Sequence, residues 1–428
     1  MLLKMAGIAS MLMRLVNIGL VFSFTILAAK YMGGEEFGRY SFFVSVLFLL
    51  MMPFTSGLSV FVLRETVDGY VEKEYCRLGV LLFSTSALVV LIIALVSLFL
   101  YFSVLVDVGP LKGISVNYYV FGVGIALLIS LNSIRSAVLQ GMMRIVQSQV
   151  ADQIILPFLL VSSLGYFVMR DSAIVALDMV AAYFFAALLS FLLGVFLLAK
   201  NLPLLAFSIT DFRLKSINIK SILALSVLGG AQVVNGQVDI VFLGWYHDYT
   251  EVGIYKVALQ FAMVMALPVT VLSTVLSPHV VYYHRRGQLA ELASLLKKSS
   301  RVAFLVSLLF FALLYIGARF VIGHFLGDEF LIAVNVVTLV CFFYVLFSAF
   351  GSVLSVANML GLEKLALISS VCGVFANVFF CFVLIPPFGI YGAAFANGFS
   401  MLLWKFMLLV VVYRRAKLDT SILGLARG

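Results

Sequence analysis

The sequence predicts an all-α integral membrane protein. It has about twelve transmembrane helices, set out as two six-helix lobes related by a pseudo-two-fold axis along the membrane normal. Three observations predict this. Hydrophobic residues are 64% of the 428-residue chain and charged residues only 11%, with a mean hydropathy of +1.18. Soluble domains average about 45–50% and about 25%, so this chain needs lipid as its solvent. Twelve windows reach the roughly 20 apolar residues that cross a bilayer core. The two halves of the chain also echo each other at one offset.

In chain order the windows are 9–30, 40–62, 78–105, 118–139, 150–168 and 174–198, then 220–243, 255–282, 302–322, 331–355, 365–385 and 391–413. The first follows Lys4 and Arg14 as a signal sequence would. It runs too far and meets no small-residue cleavage site, so it reads as a retained span. Six spans per half give both halves the same orientation, the arrangement of parallel repeats. The halves are therefore set at 1–199 and 220–428, joined by a cytoplasmic connector at 200–219. The outer loops are short, at Tyr31–Arg39, 106–117, 169–172, 244–254, 323–330 and Pro386–Ile390. In Gly287–Arg301, four leucines share one helical face with Lys297, Lys298 and Arg301 behind them. That suits a short helix lying on the inner membrane surface.

The echo joins YMGGEEFGRY at Tyr31–Tyr40 to YHDYTEVGIY at Tyr246–Tyr255. Tyr31, Glu36, Gly38 and Tyr40 match Tyr246, Glu251, Gly253 and Tyr255, and the same register carries Pro53 onto Pro268. A smaller echo pairs Gly141 and Arg144 with Gly361 and Lys364.

Orientation follows from the 28 Lys and Arg residues. With the N-terminus inside, nineteen fall on the inner side and six outside, and the other three, Arg14, Arg135 and Lys405, lie within spans. This positive-inside bias makes both termini cytoplasmic. It also accounts for the net charge of +9 without any nucleic-acid partner. The four cysteines have no metal-ligand spacing, and neither a metal nor a cofactor is implied.

No enzyme signature is present. There is no phosphate-binding Gly-x-x-x-x-Gly-Lys, no His-Glu-x-x-His and no Gly-x-Ser-x-Gly. The four histidines are scattered and read as incidental polar residues. The informative residues are polar groups inside spans, where a charge costs about 2.5–3.5 kcal/mol and usually faces a partner or water. Ser10, Arg14, Asn17 and Thr25 share a face of span one. Asn132 and Arg135 share a side of span four, and Asp152 opens span five. Asn235 and Asp239 share a face of span seven. Asn397 and Lys405 lie in span twelve. Such faces suit an aqueous path. Arg14, Arg135 and Lys405 favour an anionic substrate, since guanidinium matches phosphate in a bidentate way.

The chain resembles the bacterial polysaccharide-unit flippases, the Wzx-type O-antigen and capsule exporters of the multidrug/oligosaccharidyl-lipid/polysaccharide (MOP) exporter superfamily. The resemblance is carried by Ala29–Gly33 with Glu36, Gly38 and Tyr40, by Asn235, Asp239, Leu243, Gly244, Glu251, Gly253 and Tyr255, and by Ile385, Pro386, Gly389, Ile390 and Gly392–Ala394. It implies a V-shaped, two-lobed bundle with alternating access in the bacterial cytoplasmic (inner) membrane, serving O-antigen or lipopolysaccharide assembly. The implied cargo is an undecaprenyl-pyrophosphate-linked oligosaccharide. Arg14, Asn17, Arg135, Asn235 and Lys405 become its contacts, and Asp239 or Asp152 an ion-coupling group for a proton or sodium. A polysaccharide polymerase and a chain-length regulator are implied partners, with membrane lipid around the whole. The fourteen-span pattern of lipid II flippases is absent, as is the acidic cluster of many multidrug exporters in span one. The competing reading is a cation-coupled multidrug antiporter of the same superfamily. A polymerase is disfavoured by the short outer loops.

Overall fold

A computed structural model describes residues 2–72, 74–105, 116–170, 173–202, 219–327 and 330–423. All regular structure among them is helical. The first half has α1 (Leu2–Met52), a π-helical segment (Pro53–Leu58), α2 (Ser59–Val71), α3 (Tyr75–Leu105), α4 (Val116–Gly141), α5 (Ile145–Val150), a second π segment (Ala151–Ile155), α6 (Leu156–Met169) and α7 (Ala176–Asn201). The second half has α8 (Ile219–Tyr246), α9 (Tyr249–Arg285), α10 (Leu289–Leu326), α11 (Leu331–Ser348), α12 (Val353–Met359) and α13 (Glu363–Ala416).

Nine helical stretches among the described residues are long and apolar enough to cross a membrane. Two are double: Ala9–Val71 is 63 residues and Glu363–Ala416 is 54, and each turns back at one left-handed glycine. Gly33 has φ 79° and Gly389 has φ 52°. With these pairs separated and α8 included, the described helices make the twelve crossings expected. The chain is a multi-pass membrane protein.

The turns are tighter than the predicted loops. At Tyr31–Arg39 and Pro386–Ile390 the helical backbone continues on either side of a single glycine, because only glycine takes positive φ without strain. Between α8 and α9 only His247 and Asp248 are non-helical. The stretches between spans two and three and between spans eight and nine are short as well: α2 runs on to Val71, and only Arg286–Gln288 separates α9 from α10. At about 1.5 Å per residue, α9 and α10 are each longer than the roughly 30 Å bilayer core. The predicted surface helix at Gly287–Arg301 is the start of α10. Its Leu292 and Leu296 are 0% and 1% exposed and pack into a protein core with Leu276, Val353, Trp404 and Leu408. Leu295 is half-buried and Leu289 is exposed, so the face packs on protein over part of its width. Predicted loop residues 106–115, 171–172 and 328–329, and connector residues 203–218, lie outside the described residues.

The two echoed prolines behave differently. Pro53 opens the first π segment. Hydroxyls bond carbonyls along this bend: Ser226 Oγ donates to the Pro53 carbonyl at 3.2 Å, and Thr55 and Ser56 donate to Met51 and Met52 at 3.1 and 2.5 Å. Pro268 stays inside a continuous α9.

By packing, the chain forms two compact units. Unit 1 is Met1–Met32 with Phe43–Val233, and unit 2 is Gly33–Phe42 with Val234–Gly428. The core of unit 1 gathers Phe54, Leu58, Val62, Val89, Ile134, Val138 and Leu139. In unit 2 the two glycines of the echo meet. A Cβ on Gly38 would run into the Tyr249 carbonyl and the Gly253 nitrogen. A Cβ on Gly253 would meet the Gly34 carbonyl and the Gly38 nitrogen. Small residues let membrane helices approach this closely.

Candidate functional site

Two buried polar clusters stand out, one in each unit. In unit 1, Arg135 is a side chain of α4 that is 2% exposed. Its Nε donates to Asn132 Oδ1, one turn earlier, at 2.6 Å. Its Nη2 lies 3.5 Å from Asp152 Oδ2. Asn132 completes the triangle by donating its own amide to Asp152 Oδ1. Neither Nη1 nor Nη2 makes a hydrogen bond, whereas buried polar atoms are normally satisfied. Asp152 keeps 37% of its side chain exposed.

The guanidinium has room because α7 carries Gly194, where a Cβ would collide with Arg135. One turn earlier on α7, Ser190 Oγ donates to the Ala151 carbonyl at 2.8 Å. Asp152 itself sits in the second π segment, a form that often marks functional positions. Span one bonds to this segment and to the end of α5 before it. Asn17 Nδ2 donates to the Gln153 carbonyl and Ser10 Oγ to Gln149 Oε1, both at 2.8 Å. Arg14 lies between them on that face of α1 and is exposed. The structure thus joins Arg135 to Asp152 and brings Asn17 alongside.

In unit 2, Asp239 on α8 is fully buried and takes three neutral donors. Tyr255 OH reaches Oδ2 at 2.6 Å, Asn397 Nδ2 reaches Oδ2 at 3.0 Å, and the Ile240 N–H reaches Oδ1 at 3.1 Å. Asn235, one turn before it, offers its carbonyl to Asn397 Nδ2 at 3.5 Å and keeps a buried Oδ1 without a partner. Three donors on a buried carboxylate stabilise its charged form and fix its orientation. Tyr255 is the closing tyrosine of the echo. Sequence periodicity places Asn235 and Asp239 on one face but gives no sign that Tyr255 and Asn397 close over them.

Lys405 belongs to neither cluster. It is 3% exposed and donates to the carbonyls of Phe347 at 3.4 Å and Gly351 at 3.0 Å, with its ammonium against the Phe347 ring. It therefore caps the break between α11 and α12. At the turns, Glu251 accepts the Ile390 N–H at 3.1 Å. His247 Nε2 pairs with the Ile385 carbonyl at 2.9 Å. This fastens the Gly389 bend to the start of α9.

The family described as polysaccharide biosynthesis protein matches residues 4–284 of this chain. That stretch holds the first eight spans. None of the curated proteins matches in sequence. Solved structures share the fold at low identity. An inward-facing multidrug resistance MATE family transporter of the MOP superfamily superposes with a TM-score of 0.72 at 13% identity, over 96% of this chain and 98% of that one. The lipid II flippase MurJ, in an inward closed conformation, gives 0.69 at 14% identity over 96% and 87%. A MOP superfamily transporter from Pyrococcus furiosus, described as having a binding pocket of reversed polarity, gives 0.62 at 14% identity over 96% and 94%.

Proposed function

The chain belongs to the polysaccharide biosynthesis protein family, and from that premise we propose that it is a flippase. It moves an undecaprenyl-pyrophosphate-linked oligosaccharide from the inner to the outer leaflet of the bacterial cytoplasmic membrane by alternating access. Both termini are cytoplasmic in this reading. A polymerase and a chain-length regulator take up the product during surface polysaccharide assembly. The fold, shared with a flippase and with multidrug transporters, supports transport.

The observation that carries the reading is Arg135: a buried guanidinium, two of its nitrogens without hydrogen bonds, held beside a partly exposed carboxylate. An isolated buried cation is costly, so Asp152 neutralises it while the site is empty. A pyrophosphate competes with Asp152 for the guanidinium, offering bidentate geometry and more charge than one carboxylate. Asn17 and the exposed Arg14 lie along span one on the same side and add polar contacts. In unit 2, Asp239 is the ion-coupling group, with Asn235 beside it. Lys405 acts on the substrate only through the backbone it caps.

The deciding experiment is deletion of the gene in its native host, with the intact gene restored as control. Loss of surface polymer, with lipid-linked repeat units retained in the inner leaflet, is expected. Unchanged polymer and lipid intermediates would sink the reading, and a gain of dye efflux on overexpression would then favour the multidrug antiporter. The coupling assignment makes a separate prediction. In proteoliposomes, Asp239→Asn is expected to move lipid-linked sugar at one rate whether or not a sodium or proton gradient is imposed, whereas the parent speeds up under the gradient. A variant that still responds removes Asp239 from that role.

A further inference from the structure

We propose that Lys417–Leu423 forms a strap that caps the break in span ten, and that its release frees α12 to change its angle to α11. The break lies at Ala349–Ser352. A helix end leaves carbonyls without partners, and burying them unpaired is costly. Here every carbonyl from Phe347 to Gly351 is taken. Ser348 accepts the Gly351 N–H at 3.0 Å, and Phe347 and Gly351 accept Lys405 Nζ. The other two are served by the strap. The Ile422 N–H reaches the Ala349 carbonyl at 3.0 Å, and Thr420 Oγ1 reaches the Phe350 carbonyl at 2.9 Å.

The strap is built in, not draped over the surface. α13 stops at Ala416 because Lys417 takes the left-handed conformation, φ 57°. The chain then turns back, and Leu418 and Thr420 are 1% and 0% exposed. Leu418 enters the core that holds Leu292, Leu296, Val353 and Val356. The start of α10 grips the strap from its own side: Ser300 Oγ donates to the Thr420 carbonyl at 2.5 Å, and Arg301 Nε to the Ile422 carbonyl at 3.3 Å. At Gly351, where φ is +63°, a Cβ would strike the Thr420 carbonyl and Ser300 Oγ. The break and the strap are shaped to each other.

The device is reversible because the caps come from two sources. If the strap leaves, Lys405 still holds Phe347 and Gly351, and the Ala349 and Phe350 carbonyls, with Ser300 Oγ and Arg301 Nε, turn to water. Water reaches this end of unit 2, where Arg414, Arg415 and Lys417 are exposed. Movement of α12 would then exchange two hydroxyl pairs, Ser273 with Ser352 and Ser277 with Ser355, each at 2.8 Å.

The test is thiol accessibility. In a chain whose four native cysteines are replaced, Ser352→Cys reports the break, since Ser352 is 7% exposed. Its labelling by a membrane-impermeant maleimide is followed in inverted or detergent-opened membranes. Thr420→Val, which keeps the shape and removes the donor, is expected to raise the rate about fivefold, the weight of one hydrogen bond. A chain ending at Ala416 is expected to raise it further, with Lys405 intact in both. Equal labelling in parent and Thr420→Val, at unchanged melting temperature, would overturn the proposal. If the shortened chain does not reach the membrane, Thr420→Val alone decides.

Discussion

Replacing Arg135 by alanine is expected to cut export of surface polymer about tenfold or more, the weight of a lost charge-assisted, bidentate contact. Lysine at the same position is expected to restore part of it. An ammonium keeps the charge but cannot hold Asn132 and a phosphate with one planar fork. The risk is that alanine acts by stranding Asp152. Breaking a buried ion pair costs about 3–5 kcal/mol, and less where, as here, one partner keeps 37% of its side chain exposed. The double variant Arg135→Ala, Asp152→Ala separates the cases. If Arg135 only neutralises Asp152, removing both restores export. If Arg135 takes the anionic group of the cargo, the double variant stays inactive while reaching the membrane at parental levels. Polymer on the cell surface and protein in the membrane fraction are the two readouts, and recovery in the double variant would end the substrate assignment.

Why Arg135 is visible in the sequence and its seat is not is a matter of range. A charge in an apolar run is conspicuous by itself, and helical periodicity puts Asn132 beside it. Asp152 is conspicuous for the same reason. Their pairing, and Gly194 making room for the guanidinium, depend on how α4, α7 and the second π segment pack. No local pattern encodes that. The twelve spans follow from composition because lipid imposes length and apolarity directly. The loops read longer than they are because charge and polarity end an apolar window several residues before the helix itself ends. The bends at Gly33 and Gly389 fall inside the turns that the gaps between apolar windows predict, Tyr31–Arg39 and Pro386–Ile390, but hydropathy does not tell that a single residue at positive φ makes each of them. The strap is unreadable for the opposite reason: Thr420 bonds a carbonyl 70 residues away, and seven residues of mixed polarity carry no periodicity.

Gly253→Ala is expected to lower the melting temperature of the purified protein markedly and to reduce its yield in the membrane. Overpacking costs about 1–3 kcal/mol where neighbours can yield. Here the obstacles to a new methyl are the Gly34 carbonyl and the Gly38 nitrogen, backbone atoms that cannot rotate aside, so the upper end of that range applies. Gly38→Ala faces the Tyr249 carbonyl and the Gly253 nitrogen and is expected to match it. Because one separation of the two helices accommodates both methyls, the double variant should fall short of the sum of the singles. Gly236, in α8, supplies the control, because a Cβ there would have nothing within 4 Å. Alanine at that position is expected to add about 0.5–1 kcal/mol by removing backbone freedom from the unfolded chain. Opposite signs for the same chemical change identify the cause as contact rather than helix propensity. Parental melting of Gly253→Ala would show that these backbones are not in contact in the membrane. The echo at offset 215 would then be a trace of repetition with no packing role, whereas the expected loss makes it the reason that Gly33–Phe42 folds with the second half of the chain.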